Sequence, residues 1–180
     1  MLPAEMASER GLVQEPTELG NAVYATAKAG LWVDDATRTT VDEMRQMITA
    51  EEIAVARVDG EVVGCVRIQQ LDDGVGEFGM LVTHPDRRGN GVGGKLIDFA
   101  EGVARSRGST IMQLELLQPR DWTHPEKEVL DAWYTRLGYR PARTGRIEES
   151  YPHLSPLLAG PSDFVVYHKA LSAPEHPNCP

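Results

Sequence analysis

The stretch Arg88-Gly89-Asn90-Gly91-Val92-Gly93-Gly94-Lys95-Leu96 puts four glycines into six positions between an arginine and a lysine. Backbone N–H groups with no side chain in front of them can close around a phosphate, and the N-terminus of a following helix adds its dipole. A turn that only reversed the chain would not need them all, since each glycine in a helical position costs about 0.5–1 kcal/mol. Two phosphate-binding patterns compete here. Gly89 and Gly94-Lys95 have P-loop spacing, but Leu96 stands where a magnesium-binding hydroxyl is required. Gly89-x-Gly91-x-x-Gly94 has the spacing of a dinucleotide fingerprint, and Glu115 falls about 20 residues on, where a ribose-binding acid belongs. That fingerprint asks for a strand running straight into the first glycine, whereas Thr83 to Arg88 intervene. The 86 residues after Gly94 are also too few for most of a six-stranded doubly wound sheet.

Other chemistries find less support. His84, His124, His153, His168 and His176 show no metal-ligand spacing, and Cys65 and Cys179 offer neither a disulfide framework nor a thiolate metal site, so no metal is expected. Acidic residues outnumber basic ones by 27 to 18, a formal charge of −9. This would repel a phosphate backbone, so nucleic acid is not an expected partner; the acidity suits a cationic ligand, or serves solubility alone. No apolar stretch approaches the roughly 20 residues that span a bilayer. Met1 to Met6 has neither a basic leader nor an apolar h-region, so a cytoplasmic location and no membrane partner are expected.

The elements that must position the glycine turn follow from periodicity. Leu19 to Leu31 reads as a first helix with Thr17 as its cap, and Thr40 to Glu43 as a capping box opening a second, with Val41, Met44, Met47 and Ile48 as its apolar stripe. Ile53 to Val58, Glu61 to Gln69 and Val75 to Val82 read as three antiparallel strands, joined at Asp59-Gly60 and Asp73-Gly74. After the glycines a helix presents Leu96, Phe99, Ala100 and Val103 on one face and ends before Gly108. Ile111 to Leu117 is a buried strand. Thr123 to Glu126 opens a helix with a capping box and a first-turn proline, closed by Gly138, and Phe164 to Leu171 is a last strand. The expected fold is α/β, a mixed, mostly antiparallel central sheet flanked by helices. It forms one domain over residues 1–172 and leaves a Pro-rich tail at 173–180.

Arg88-x-x-Gly91-x-Gly93, set between a strand and a helix, is the third pattern. The text from Gly79-Met80-Leu81-Val82-Thr83-His84-Pro85 through Leu96, followed by Trp133-Tyr134-Thr135-Arg136-Leu137-Gly138-Tyr139, resembles the GNAT superfamily of acetyl-coenzyme A dependent N-acetyltransferases. The resemblance covers roughly residues 53–171. It implies a GNAT-like fold with acetyl-coenzyme A as co-substrate, held by main-chain groups of Leu81, Val82 and Thr83 and by Arg88, Gly89, Asn90, Gly91, Val92, Gly93 and Gly94. It implies direct acetyl transfer to a primary amine, of a small molecule, in a ternary complex. Glu77 matches the position where certain members carry a glutamate general base, although by itself it reads equally as a solvated edge carboxylate. Tyr134 matches the family's tyrosine general acid, or is a core aromatic of its helix. Acceptor recognition falls to the inter-helix segment and the loop after residue 150, with Tyr24, Trp32, Asp34, Asp35, Glu115, Tyr151 and His153 as candidates. Dimers are common in the superfamily, so a homodimer is a further expectation. Two alternatives remain: an acyl-coenzyme A sensor or interaction module without acid–base chemistry, and a dinucleotide-dependent oxidoreductase.

Overall fold

Asp-Gly punctuation between β-forming runs builds the first half of the sheet. In the computed structural model, which describes residues 1–27, 30–33, 37–71, 74–152 and 154–172, β1 (Ile53–Val58) and β2 (Glu61–Gln70) are joined through Asp59 at φ 51° and Gly60 at φ 87°. That left-handed pair is what a two-residue hairpin demands. β2 pairs antiparallel with β3 (Val75–Thr83), which completes the expected meander. Of the second turn, Gly74 has φ 75° and Asp73 lies outside the described residues, as do Asp34, Asp35, His153 and the tail 173–180. β4 (Ile111–Pro119) lies parallel to the start of β3, and β6 (Ser162–Ala170) runs antiparallel to β4 along its whole length. The order is β1-β2-β3-β4-β6-β5, a mostly antiparallel six-stranded sheet with β3–β4 as its parallel pair. A dinucleotide site needs a parallel sheet wound on both sides, and this topology does not supply one.

β5 (Arg140–Gly145) is not expected from the sequence, because Arg-Pro-Ala-Arg-Thr-Gly has no apolar alternation. It pairs only with β6, with a register shift between Pro141 and Arg143, and so forms an edge. Charges and a proline without an N–H are tolerated at an edge and not in the middle of a sheet.

The helices depart from expectation mainly at their starts. α1 spans Arg10–Ala27, so Thr17 does not cap it; buried within the helix, its hydroxyl donates to the Val13 carbonyl at 2.7 Å. Gly11 and Pro16 had obscured the periodicity of the first turns. α2 (Val41–Thr49) has the expected capping box, with Glu43 N–H donating to Thr40 Oγ1 at 3.1 Å and Thr40 N–H to Glu43 Oε2 at 2.7 Å. Of its stripe, Val41 is 44% exposed and the other three are buried. α3 (Val92–Ser106) turns Leu96, Ile97, Ala100 and Ala104 inward, while Phe99, expected there, is 44% exposed. α4 (Pro125–Arg136) has proline in its first turn, but His124 occupies the N-cap and the Thr123–Glu126 box does not form. A short α5 (Ile147–Ser150) precedes β6.

These helices divide between the two faces. α3 and α4 cover Val66, Ile68, Phe78, Met112, Leu114, Leu116, Val165 and Tyr167. α3 sits so close to β3 that a Cβ on Gly76 would lie 2.7 Å from Ala104 Cβ. On the opposite face α1 and α2 pack Val13, Met44 and Ile48 against Ile53 and Met80. Leu31, Ile147, Tyr151, Leu154 and Leu158 cover Leu117, Phe164 and Val166.

Candidate active site

β3 and β4 are paired only over Val75–Glu77 and Ile111–Gln113, and then separate. A parallel pair that splays leaves a row of main-chain groups unclaimed on each side of the gap. At this point β3 also bulges: its register with β2 shifts between Cys65 and Arg67, and Met80 has φ 48°, left-handed for a residue with a side chain. The bulge reverses the alternation of side chains. Phe78 packs under α3 and α4, whereas Met80 and Val82 pack on the α1 and α2 side. Beyond it, His84 N–H donates to Val63 O at 2.9 Å, so strand alternation turns the main-chain groups of Val82 toward β2 and those of Leu81 and Thr83 into the gap. Of the three expected main-chain contacts, two therefore face the opening and Val82 faces its neighbour strand.

The glycine turn caps α3 at the wide end of the gap. Gly89 and Gly91 have φ 80° and 77°, a conformation that makes glycine necessary, and nothing lies within 4 Å of where a Cβ would stand on Gly89, Gly91 or Gly94. The first N–H groups of α3 have no intrahelical partner, so the turn presents donors in an open cradle. Asn90 is exposed at its rim, and Val92 is half-buried. Gly93 has a different reason to lack a side chain, because a Cβ there would lie 3.1 Å from Trp133 Cη2 on α4. Arg88 Nη1 is 3.6 Å from Glu126 Oε1; an anion in the cradle would share that guanidinium with Glu126.

Glu77 occupies the last paired position before the strands part. It is 8% exposed, so the solvated-edge reading does not describe it. Burial, then the neighbouring Glu115 carboxylate, pushes its carboxyl up to about 7, against the lowering influence of Gln113 and Arg67. Gln113 Nε2–H donates to Glu77 Oε2 at 2.6 Å, and Gln113 Oε1 meets His168 Nε2 at 3.0 Å. The three stand in one cross-sheet row, Glu77 opposite Gln113 and Gln113 opposite His168. Neither Gln113 nor His168 was singled out as a site residue in the sequence; each looks like an ordinary strand residue until the register aligns them. Glu115, one pleat further along β4, accepts from the Tyr151 hydroxyl at 2.8 Å, and burial raises its carboxyl as well. Tyr151, from the loop expected to reach an acceptor, thus stands beside both carboxylates.

Tyr134 projects from α4 onto the other face, its ring 6.0 Å from Phe78, 5.2 Å from Trp133 and 6.3 Å from Tyr139. It is the packed core aromatic of its helix, 7% exposed. Burial, then Tyr24, raises its hydroxyl above the ordinary tyrosine value, so it stays protonated at neutral pH. Glu77 and Tyr134 therefore sit on opposite faces of the sheet. Among the residues expected to meet an acceptor, Tyr24 has the Arg38 guanidinium 5.0 Å over its ring, and Trp32 is bridged to Leu158. Among the described residues no group of three His, Cys, Asp or Glu is arranged to hold a metal ion, and no helix is long and apolar enough to cross a membrane.

Comparison with known proteins agrees with this geometry. Residues 49–141 match the acetyltransferase (GNAT) domain family. A 62-residue stretch is 40% identical to an amino-acid acetyltransferase of Shewanella oneidensis, covering 34% of this chain and 14% of that enzyme's length. The fold is similar to the aminoglycoside 6'-N-acetyltransferase of Enterococcus faecium, at TM-score 0.65 and 16% identity over 92% of this chain and 93% of that one. It is equally similar to an aminoglycoside 6'-N-acetyltransferase solved with coenzyme A, with the same score, identity and coverage. A Mycobacterium tuberculosis protein solved with coenzyme A scores 0.63 at 16% identity, over 89% of this chain and 94% of that one. With the family profile spanning β1 to β4, the bulge, the glycine turn and α4, the chain belongs to the GNAT family of acetyltransferases.

Proposed function

We propose that the chain transfers the acetyl group of acetyl-coenzyme A directly to the primary amine of a small molecule. What supports this reading is a buried carboxyl raised to about 7, Glu77, at the point where β3 and β4 part, with a buried phenol, Tyr134, on the opposite face of the sheet. The α3 cradle of Arg88 to Gly94 holds the pyrophosphate, and the open main-chain edge of β3 runs along the pantetheine arm. Glu77, ionising near neutral pH, accepts the proton that an alkylammonium must lose before it can attack; the ordinary ammonium value is about 10.4. An N–H of Leu81 or Thr83 stabilises the oxygen of the thioester carbonyl as charge develops there. Tyr134 returns a proton to the departing thiolate. Cys65, the cysteine among the described residues, is fully buried, with its thiol pushed up to about 12, which supports direct transfer over an acyl-cysteine route.

Glu77, Glu115 and the aromatic ring of Tyr151 favour a cationic acceptor, the Tyr24 ring being covered by Arg38. The fold neighbours named for aminoglycosides are consistent with a small-molecule acceptor. The test is release of free thiol from acetyl-coenzyme A across a panel of alkylamines, aminoglycosides, amino acids and peptide N-termini. Turnover with at least one small amine is expected. Binding of coenzyme A without turnover on any amine would instead assign the chain to non-catalytic acyl-coenzyme A sensing.

A further inference from the structure

Glu77 has only one hydrogen-bond donor among the described residues, the Gln113 amide at 2.6 Å. The nearest cation on its strand pair, Arg67, is committed elsewhere: Nε and Nη2 reach Glu52 Oε2 at 2.7 and 2.6 Å. The remaining charged neighbour is Glu115, which opposes ionisation and is itself bonded to Tyr151. Burial and Glu115 oppose ionisation, and the hydrogen bond that favours it comes from one neutral side chain that can point either way. A glutamine amide offers donors on one end and an acceptor on the other. With its N–H₂ toward the carboxylate, Gln113 supports ionised Glu77. Rotated by half a turn, it sets oxygen against oxygen and supports only the protonated acid.

His168 limits that freedom. Its Nε2 lies 3.0 Å from Gln113 Oε1; the Nδ1–H tautomer would accept from a reversed amide, and the orientation found pairs with the Nε2–H form, which donates to the amide oxygen. In that tautomer, or as the imidazolium, the histidine holds the amide in the orientation that donates to Glu77. The row is built by sheet register, not by flexible loops: Glu77, Gln113 and His168 are cross-strand neighbours on β3, β4 and β6.

We propose that Gln113 and His168 are positioning residues for Glu77, His168 fixing the direction of the Gln113 amide so that the Glu77 carboxylate is kept as a proton acceptor at the apex of the gap. The proposal rests on the assignment of Glu77 as general base for its catalytic meaning, but not for its structural content.

The experiment is a titration of the full chain labelled with ¹³C at glutamate Cδ, with the Glu77 resonance assigned by its absence in E77Q, and melting temperatures recorded for every variant. Wild-type Glu77 is expected to titrate at about 7. Q113L, which removes the donor, should raise the midpoint by about 0.5–1 pH unit, the value of one hydrogen bond. Q113E, which sets a second carboxylate against the first, should raise it further. H168F should fall between wild type and Q113L, and adding H168F to Q113L should change nothing more. A loss of packing alone would not produce that order or that non-additivity. A midpoint that stays fixed in Q113L, or an H168F shift that persists undiminished in the Q113L background, overturns the proposal. Thiol release with the best amine of the panel separates this from the role of Glu77: if E77Q turns over at the wild-type rate while the midpoints still move in the stated order, the general-base assignment fails and the positioning row stands.

Discussion

At the scale of single residues, Glu77 carries the clearest consequences, because its burial affects both catalysis and stability. Replacing it with glutamine should lower kcat/KM by about 10²–10⁴-fold, the range of one positioned general base, and remove the rise in activity through about pH 7. The stability effect has a definite sign. The folded carboxyl is raised from 4.5 to about 7, so between those values the folded chain holds a proton that the unfolded chain has released. Its contribution is fully present below about pH 4.5 and lost as pH rises through about 7. The E77Q variant lacks this penalty, so its melting temperature relative to wild type should improve between pH 5 and pH 8, by the equivalent of about 1–3 kcal/mol. A constant difference across that range in thermal scans would show that the folded carboxyl is not raised. At the same scale the sequence identified Glu77 and Tyr134 by motif position. It gave no reason to pair Glu77 with Gln113, since they are separated by most of β3, the glycine turn and a helix.

At the scale of elements, the α3 N-terminus and α4 act on one another through Gly93 and Trp133. Gly93 and Gly89 are both glycines of the turn, yet they are needed for different reasons. A methyl at Gly93 meets the Trp133 ring at 3.1 Å, on the residue next to Tyr134; one at Gly89 meets no atom but must adopt φ 80°. G93A should therefore displace α4 and lower kcat as well as coenzyme A affinity, while G89A should act chiefly on affinity, at a conformational cost of about 1 kcal/mol. Calorimetric coenzyme A binding alongside steady-state kinetics distinguishes the two, and an unaltered kcat in G93A would contradict the mechanical link through Trp133. Helix existence was legible from periodicity and capping, as at Thr40 and Glu43. Where tertiary contacts override local signals, as in the long α1 with Pro16 inside it or the uncapped start of α4, the boundaries moved.

At the scale of the molecule, α3 is tied to the β6–β5 end of the sheet by a buried carboxylate. Glu101 is 3% exposed and receives hydrogen bonds from the Tyr139 hydroxyl at 2.8 Å, Lys169 Nζ at 2.7 Å and Arg105 Nη2 at 3.0 Å. Removing one member of such a cluster leaves the others uncompensated, so E101A should lose about 3–5 kcal/mol in urea unfolding. K169M, which removes a cation that is still partly solvated, should lose less. Equal losses in the two variants would show that the cluster's stability does not depend on Glu101 as its centre. Nothing in the sequence marks this glutamate, which reads as an ordinary polar position of an amphipathic helix until Tyr139 and Lys169 fold onto it.

Local chemistry and spacing were enough to determine the existence of β1 to β4, β6 and the four long helices and the glycine turn at the start of α3, and the family was legible as a resemblance of two motifs, because hairpin turns, capping boxes and phosphate cradles are each made by residues close in the chain. Register, burial and the direction of side chains were decided only by the tertiary structure. The polar edge strand β5 exists because β6 offers it partners. Val82 turns away from the gap because Met80 bulges. The Glu77 carboxyl is raised to about 7, and is not a solvated carboxylate, because the sheet buries it and β4 brings Glu115 to its side. Each of these depends on contacts between residues distant in sequence, where spacing along the chain carries no information about distance in space.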